Sequence, residues 1–127
     1  MSLTNSGMNP GRHEMWVDSE KKVFHIGLFG FYGVEDAERF FVDYEKYTLP
    51  LDKKEYRIVI NCLELSTFKP DILPYLQDAY KAYAAFKEVH FVNSPNVVGK
   101  SQLKRIAREV DLLDQFNFVD DVSQLPF

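Results

Sequence analysis

The strongest constraint on the fold is an alternation of short apolar segments with longer amphipathic ones, which follows two closely spaced strands. The segments HEMWV (13–17) and VFHIGLF (23–29) flank the polar stretch DSEKK, a pattern typical of a β-hairpin. The later segments YRIVINC, VHFV and FNFV are short and rich in β-branched or aromatic residues, as strands are. Segments with apolar residues at helical spacing separate them. This order predicts an α/β fold with a mixed, mostly parallel sheet of four or five strands.

Three segments are predicted to be helices. The first, VEDAERFFVDYEKYTL, has acidic residues near its start and is ended by Pro50. The second and third are DILPYLQDAYKAYAAFKE and SQLKRIAREV. The strands themselves carry single polar interruptions at His25, Arg57 and His90. One face of the sheet is therefore expected to be only half buried, with the helices mainly on the other face.

Length and charge limit the class of protein. With 127 residues, of which 46% are hydrophobic, the chain fits one domain. We expect residues 1–12 to be a flexible polar N-terminus, its first three residues typical of an expression tag, and residues 13–127 to form the domain. A formal charge of −4 gives no field that would attract nucleic acid. The single cysteine, Cys62, excludes an internal disulfide and favours a cytoplasmic protein, and no apolar stretch reaches the roughly 18 residues of a membrane span.

The segment SPNVVGKS (94–101) comes close to the pattern of a phosphate-binding P-loop. Ser94 stands where the pattern needs glycine, and Pro95 has no N–H to offer a phosphate. We therefore predict a plain loop with Lys100 exposed, and keep nucleotide binding through Lys100 as a minor alternative. The histidines lack metal-ligand spacing, and no nucleophile motif surrounds Ser66. We therefore predict that the protein is not an enzyme and that it binds no metal or cofactor.

Adjacent strands can bring His25, Arg57 and His90 together on the half-buried face of the sheet. Together they would form a basic patch that tolerates anions. Independent, solvent-facing side chains are the interpretation that we favour, because single polar residues on an open sheet face are usually solvated.

Three segments carry a family resemblance: HIGLFGFYGVEDAERFFVDYEK (25–46), IVINCLELSTFKPDILPYLQDAYKAY (58–83) and VHFVNSPNVVGKSQLKRIAREVDLLDQFNFVDDV (89–122). In order and spacing they resemble the STAS domain, the family of bacterial anti-sigma factor antagonists and of sulfate transporter tails. A related lipid-binding branch has the same fold. The resemblance implies a βα superhelix with its strands in sequential order and its helices on one side. It also implies a regulatory domain that binds other proteins.

In phospho-regulated members of that family, a loop reading approximately Asp-Ser-Ser-Gly-Leu follows a strand, and an anti-sigma kinase phosphorylates its serine. The equivalent region here is KPDIL (69–73), so Pro70 or Asp71 stands where the serine would be. We expect Asp71 to be the N-cap of the second helix, accepting the N–H of Leu73. A permanently anionic imitation of the phosphorylated state is the alternative. Ser66, in a predicted loop 66–71, remains an alternative phosphorylation site together with its neighbour Thr67.

The leading hypothesis is a non-enzymatic STAS-type domain that binds another protein, such as an anti-sigma-like regulator, without the usual serine switch. Its docking residues are predicted to be Gly30, Gly33, Ser66, Thr67, Lys69 and Asp71. The alternative is a small-ligand or lipid-binding protein whose apolar groove is lined by Phe40, Phe41, Tyr44, Tyr80 and Tyr83. A homodimer built on the open sheet face or a sheet edge is also compatible with the sequence.

Overall fold

The strands form one five-stranded sheet in which they lie side by side in sequence order. The protein is described here by a computed structural model that covers residues 9–127. The elements are β1 (Arg12–Asp18), β2 (Val23–Tyr32), α1 (Val34–Thr48), β3 (Arg57–Phe68), α2 (Leu73–Tyr83), β4 (Glu88–Val92), α3 (Val97–Glu109) and β5 (Phe116–Val119), with short 3-10 turns at Pro70–Ile72 and Val122–Gln124. Strand β1 is antiparallel to β2, and the other pairs are parallel. The predicted α/β fold and its opening hairpin are confirmed.

The N-terminal boundary differs from the expected one. Residues 1–8 of the segment predicted to be flexible lie outside the described residues. Pro10 forms an isolated parallel bridge with Phe31, and β1 already begins at Arg12. Sheet pairing therefore extends into the last residues of that segment.

All three helices contribute to one main core on a single face of the sheet. Phe24, Ile26 and Leu28 point into this core from β2, as the alternation of that strand predicts. Tyr80 of α2 is also buried there, and its hydroxyl donates a hydrogen bond of 2.9 Å to the carbonyl oxygen of Leu103. A buried phenol usually has such a partner, and this hydrogen bond joins α2 to α3.

In the part of the chain that the structure describes, the opposite face carries no α-helix. A small apolar cluster of Val23, Val59 and Val92 lies there, and Leu125 of the C-terminal segment packs against it. The prediction that the helices gather on one face is confirmed, and the C-terminal segment packs against part of the other face.

Strand β3 is longer than predicted, so the expected 66–71 loop is wrong. The strand was expected to end at Cys62, but it continues to Phe68. It stays paired with β2, with Gly30 opposite Leu65 and Tyr32 opposite Phe68. Two register shifts insert extra residues into β3, which breaks the simple alternation on which the sequence prediction relied.

The predicted plain loop at 94–101 is also corrected, because α3 begins inside it. The side chain of Asn96 accepts hydrogen bonds from the backbone N–H groups of Val98 (2.8 Å) and Gly99 (3.2 Å). This N-cap starts the helix at Val97. Lys100 therefore lies on the helix, where its ammonium pairs with Asp120 at 2.8 Å.

Candidate functional site

The carboxyl ends of β2 and β3 meet at Lys69. The backbone N–H of Lys69 donates a 2.9 Å hydrogen bond to the carbonyl oxygen of Tyr32, the last residue of β2. Gly33 is then the N-cap residue of α1, and Asp71 lies in the 3-10 turn that precedes α2. Loops that follow the strands of a rigid sheet often carry the binding residues of a protein.

An open depression of about 360 Å³ lies at this edge, and we call it the end basin. Its lining residues are Gly33, Val34, Glu35, Asp36, Arg39, Lys69 and Asp71. Asp36 accepts the N–H of Gly33 at 2.9 Å and also pairs with Arg39, so its carboxylate helps to begin α1. The Lys69 stem passes close to Gly33, with its Cδ 3.4 Å from where a Cβ would be. The structure thus brings together Gly33, Lys69 and Asp71, three of the six predicted docking residues.

Gly30, a fourth predicted residue, does not line the end basin. It is buried and adopts a φ of +80°. A Cβ at this position would lie 2.3 Å from the carbonyl oxygen of Pro10. Because Gly30 has no Cβ, the backbone of Pro10 can lie directly against it. Gly30 therefore has a role in backbone conformation and does not offer a surface contact.

Ser66 and Thr67 lie within β3, so their expected position in a loop is wrong. Ser66 is exposed, and its carbonyl oxygen is 3.3 Å from where a Cβ on Gly99 of α3 would be. Thr67 is half-buried. Both residues are near the same edge of the sheet but outside the lining of the end basin.

Asp71 is not the N-cap of α2, which corrects the sequence prediction. The residues before the helix form a 3-10 turn, with the N–H of Ile72 donating to the carbonyl oxygen of Lys69 at 3.1 Å. Ile72 occupies the cap position, and no side chain makes a cap hydrogen bond there. Because the turn displaces the helix start to Leu73, the exposed carboxylate of Asp71 remains at the surface of the end basin.

A second depression, of about 220 Å³, adjoins the end basin between α2 and α3, and we call it the helix groove. It is lined by Phe68, Lys69, Pro70, Leu73, Leu76, Gln102, Arg105, Ile106 and Glu109. Leu73 is 38% exposed, and the Gln102 Oε1 atom is buried without a hydrogen-bond partner in the described structure. Sequence reasoning missed this groove. Leu73 and Leu76 lie in the segment predicted to be the second helix, but their position opposite α3 depends on the tertiary fold.

The aromatic residues of the proposed ligand groove lie mostly in the core. Phe40, Tyr44, Tyr80 and Tyr83 are buried, and Phe41 packs partly against the core. The cavity beside them has a volume of about 30 Å³, which is the share of one water molecule in the liquid. Burial raises the pKa of Tyr44, so its phenol stays neutral. The packing gives these rings a structural role, and apolar ligand binding by them remains a prediction.

On the helix-free face, Arg57 and His90 both contact one carboxylate. The Glu88 Oε1 atom lies 2.8 Å from the Arg57 Nε and 2.9 Å from the His90 Nε2. The Asn117 amide lies 3.0 Å from the His90 Nδ1. The expectation of independent, solvent-facing side chains is wrong here, because His90 is buried and Glu88 links it to Arg57. His25 lies apart from them, stacked on Trp16 at 3.9 Å.

We expect Glu88→Gln to lower the free energy of unfolding by less than about 1 kcal/mol near neutral pH, because this ion pair is partly exposed. Hydrogen bonds from Arg57 and then from His90 lower the pKa of Glu88. A carboxyl whose pKa is lowered by folding stabilises the protein above its unfolded pKa, and this stabilisation is lost as the pH falls through the folded pKa. In urea unfolding, the Glu88→Gln variant should therefore be less stable than the unsubstituted protein at neutral pH. The two should be equally stable in acid. Glu45→Gln, at an exposed site on α1, is the control, and a difference that persists in acid would contradict the assignment.

Two further structural findings concern chemistry and membranes. Among residues 9–127, no three His, Cys, Asp or Glu side chains converge as metal ligands. Within the same residues, no helix has the length and apolar character that crossing a bilayer requires. Cys62 is fully buried, which raises the pKa of its thiol.

Comparison with known proteins gives no family assignment. No protein-family model matches the chain, and no curated protein matches its sequence. The functional interpretation therefore rests on the geometry of the end basin and the helix groove.

Proposed function

We propose that this protein is a non-enzymatic, STAS-type interaction domain that binds another protein through the end basin and the helix groove. The observation that carries the proposal is the position of Lys69, which lines both depressions. The basin and the groove therefore adjoin each other at the Lys69 side chain. The sequential strand order and the helices on one side are also what the STAS resemblance implies.

The surface combines the two kinds of contact that protein interfaces use. The helix groove offers the side chains of Leu73 and Leu76 as an apolar centre. Charged residues surround it, including Asp71 on the basin side and Arg105 on α3. An apolar centre with a polar rim is the usual anatomy of a protein–protein interface. A partner that inserts an apolar side chain into the groove and places a basic group near Asp71 fits this surface.

The proposed interaction does not depend on a serine switch. Pro70 and Asp71 occupy the region equivalent to the phosphorylated loop, and neither has a hydroxyl. A phosphate would add about two negative charges and three strong acceptor oxygens, whereas a carboxylate carries one charge. Asp71 thus gives the basin a permanent negative charge that is smaller than the charge of a phosphate.

Asp71→Lys is expected to weaken the partner complex about ten-fold, because it reverses a charge at the rim of the surface. The variant should remain folded, since the Asp71 side chain makes no cap hydrogen bond. The measurement is calorimetric titration with the partner recovered from the native host. Asp114→Lys is the matched control, because Asp114 is exposed just before β5, at the opposite end of the parallel strands.

A second substitution tests the groove. Leu73→Asp places a carboxylate at a 38% exposed position in the helix groove, and it should weaken the same complex by at least as much as Asp71→Lys. Unchanged affinity of both folded variants would show that the partner binds elsewhere, and would overturn the proposed surface.

A further inference from the structure

A concave surface with a volume of about 480 Å³ lies on the helix-free face. We call it the sheet-face trough. It is bounded by β1, β2 and β3 and by the C-terminal segment, so it is separate from the end basin and the helix groove. Its volume falls within the range of about 300–1,000 Å³ that is usual for sites of small organic ligands.

The floor of the trough is low because Gly27 has no side chain. Strand register places Glu14 of β1 and Asn61 of β3 on either side of Gly27. The ring of Phe29 lies close to Gly27. A Cβ placed on Gly27 would be 3.2 Å from the Cε1 atom of that ring. The floor of the trough is therefore formed by the Gly27 backbone and the Phe29 ring, and Glu14 and Asn61 lie on either side of it.

One wall of the trough is a pair of stacked rings. Trp16 and His25 are cross-strand partners, with ring centroids 3.9 Å apart and planes within 6°. Trp16 is nevertheless 54% exposed. The C-terminal segment forms the other side with Leu125 and with Val122, which is 49% exposed. Large apolar side chains exposed around a concavity are typical of a ligand site.

The charged residues that line the trough favour a cationic ligand. Among residues 9–127, Glu14 and Glu64 are the charged residues that line the trough, and no Lys or Arg does so. Arg12 pairs with Glu14 at 3.2 Å but lies outside the lining, over the ring of Phe29. Burial lowers the pKa of His25, which therefore adds little positive charge at neutral pH. Aromatic faces and carboxylates both attract cations.

We propose that the sheet-face trough binds a small organic cation, namely an amine or quaternary ammonium compound with an aromatic or apolar body. The cationic group lies near Glu14 and Glu64, and the apolar body lies against the rings and the aliphatic side chains of the C-terminal segment. This site is independent of the docking surface at the carboxyl ends of the strands.

The chain has one tryptophan, Trp16, so its fluorescence reports directly on the trough. The probes are phenethylammonium, the neutral 2-phenylethanol and the anionic phenylacetate, which share a phenyl ring and differ in charge. Phenethylammonium should change the fluorescence in a saturable way and bind about ten-fold more tightly than the other two compounds. A non-saturable change, or equal binding of all three probes, would overturn the proposal.

Substitutions test the assigned residues. Glu14→Gln and Glu64→Gln should each weaken phenethylammonium binding about five-fold while leaving 2-phenylethanol unchanged. Glu45→Gln on α1 is the matched control and should have no effect on either probe. Val122→Arg places a bulky cation at an exposed position on the trough wall, and it should remove phenethylammonium binding without unfolding the chain. Unchanged binding by all three trough variants, with their folds verified by circular dichroism, would also overturn the proposal.

Discussion

Phe91→Ala is expected to lower the free energy of unfolding by about 4 kcal/mol, the largest effect among the substitutions considered. Phe91 is 1% exposed at the centre of the main core. Its ring centroid lies 5.0 Å from that of Tyr80 and 4.9 Å from that of Phe118. Removing the ring leaves a cavity between α2 and β5 that these neighbours cannot fill without moving. Denaturant unfolding followed by circular dichroism measures the change.

Phe127→Ala is the control for this prediction. Phe127 is also aromatic but 41% exposed, and it lies over Arg57 at the chain end. Its replacement should lower the free energy of unfolding by less than about 1 kcal/mol. Similar losses for the two variants would contradict the assigned core.

Gly30→Ala is expected to lower the free energy of unfolding by about 3 kcal/mol. An L-residue in the left-handed region is less stable than glycine by about 1–2 kcal/mol, and Gly30 has a φ of +80°. The added Cβ would also overlap the carbonyl oxygen of Pro10 at 2.3 Å, which forces a backbone shift. The bridge between Pro10 and Phe31 should open, and amide hydrogen exchange at Phe31, which donates to the Asn9 carbonyl, would report this locally.

Gly33→Ala is the matched control, because Gly33 has an ordinary φ of −115° and its nearest neighbour, the Lys69 Cδ, would be 3.4 Å from the new Cβ. Its replacement should change stability by less than about 1 kcal/mol. Equal effects at the two glycines would contradict the conformational role of Gly30.

The general fold was predictable because several local signals agreed. The DSEKK stretch between two apolar segments predicted the β1–β2 hairpin, and Pro50 marked the end of the first helical segment close to the observed end of α1 at Thr48. The polar interruptions at His25 and His90 correctly indicated a face without helices. Strand and helix periodicities depend on neighbouring residues, so they can be detected in the sequence.

The end of β3 was not predictable from the same signals. The core-facing residues Cys62, Leu65 and Phe68 are three positions apart instead of two, because two register shifts insert extra residues into this part of β3. The pairing with Gly30 and Tyr32 that holds this segment in the sheet is a long-range contact. No local pattern encodes it, and the prediction of a loop at Ser66 was wrong for that reason.

The candidate sites show the same division between local and long-range information. Lys69 and Asp71 were predicted because the STAS resemblance equates KPDIL (69–73) with the phosphorylated loop of that family, and both residues line the end basin. The sheet-face trough was not identified. It depends on Gly27 lying between two side chains from other strands and on the C-terminal segment returning to place Leu125 beside β2 and β3.

The most direct test of the docking proposal is to purify the protein gently from its native host and to compare its mass under native and denaturing conditions. We expect additional mass of protein size under native conditions only, and we expect the Asp71→Lys variant, prepared in the same way, to lose most of it. The denatured mass should show no phosphate on Ser66 or Thr67. A complex that survives Asp71→Lys and Leu73→Asp unchanged, or a native mass increased only by a lipid-sized ligand, would contradict the account.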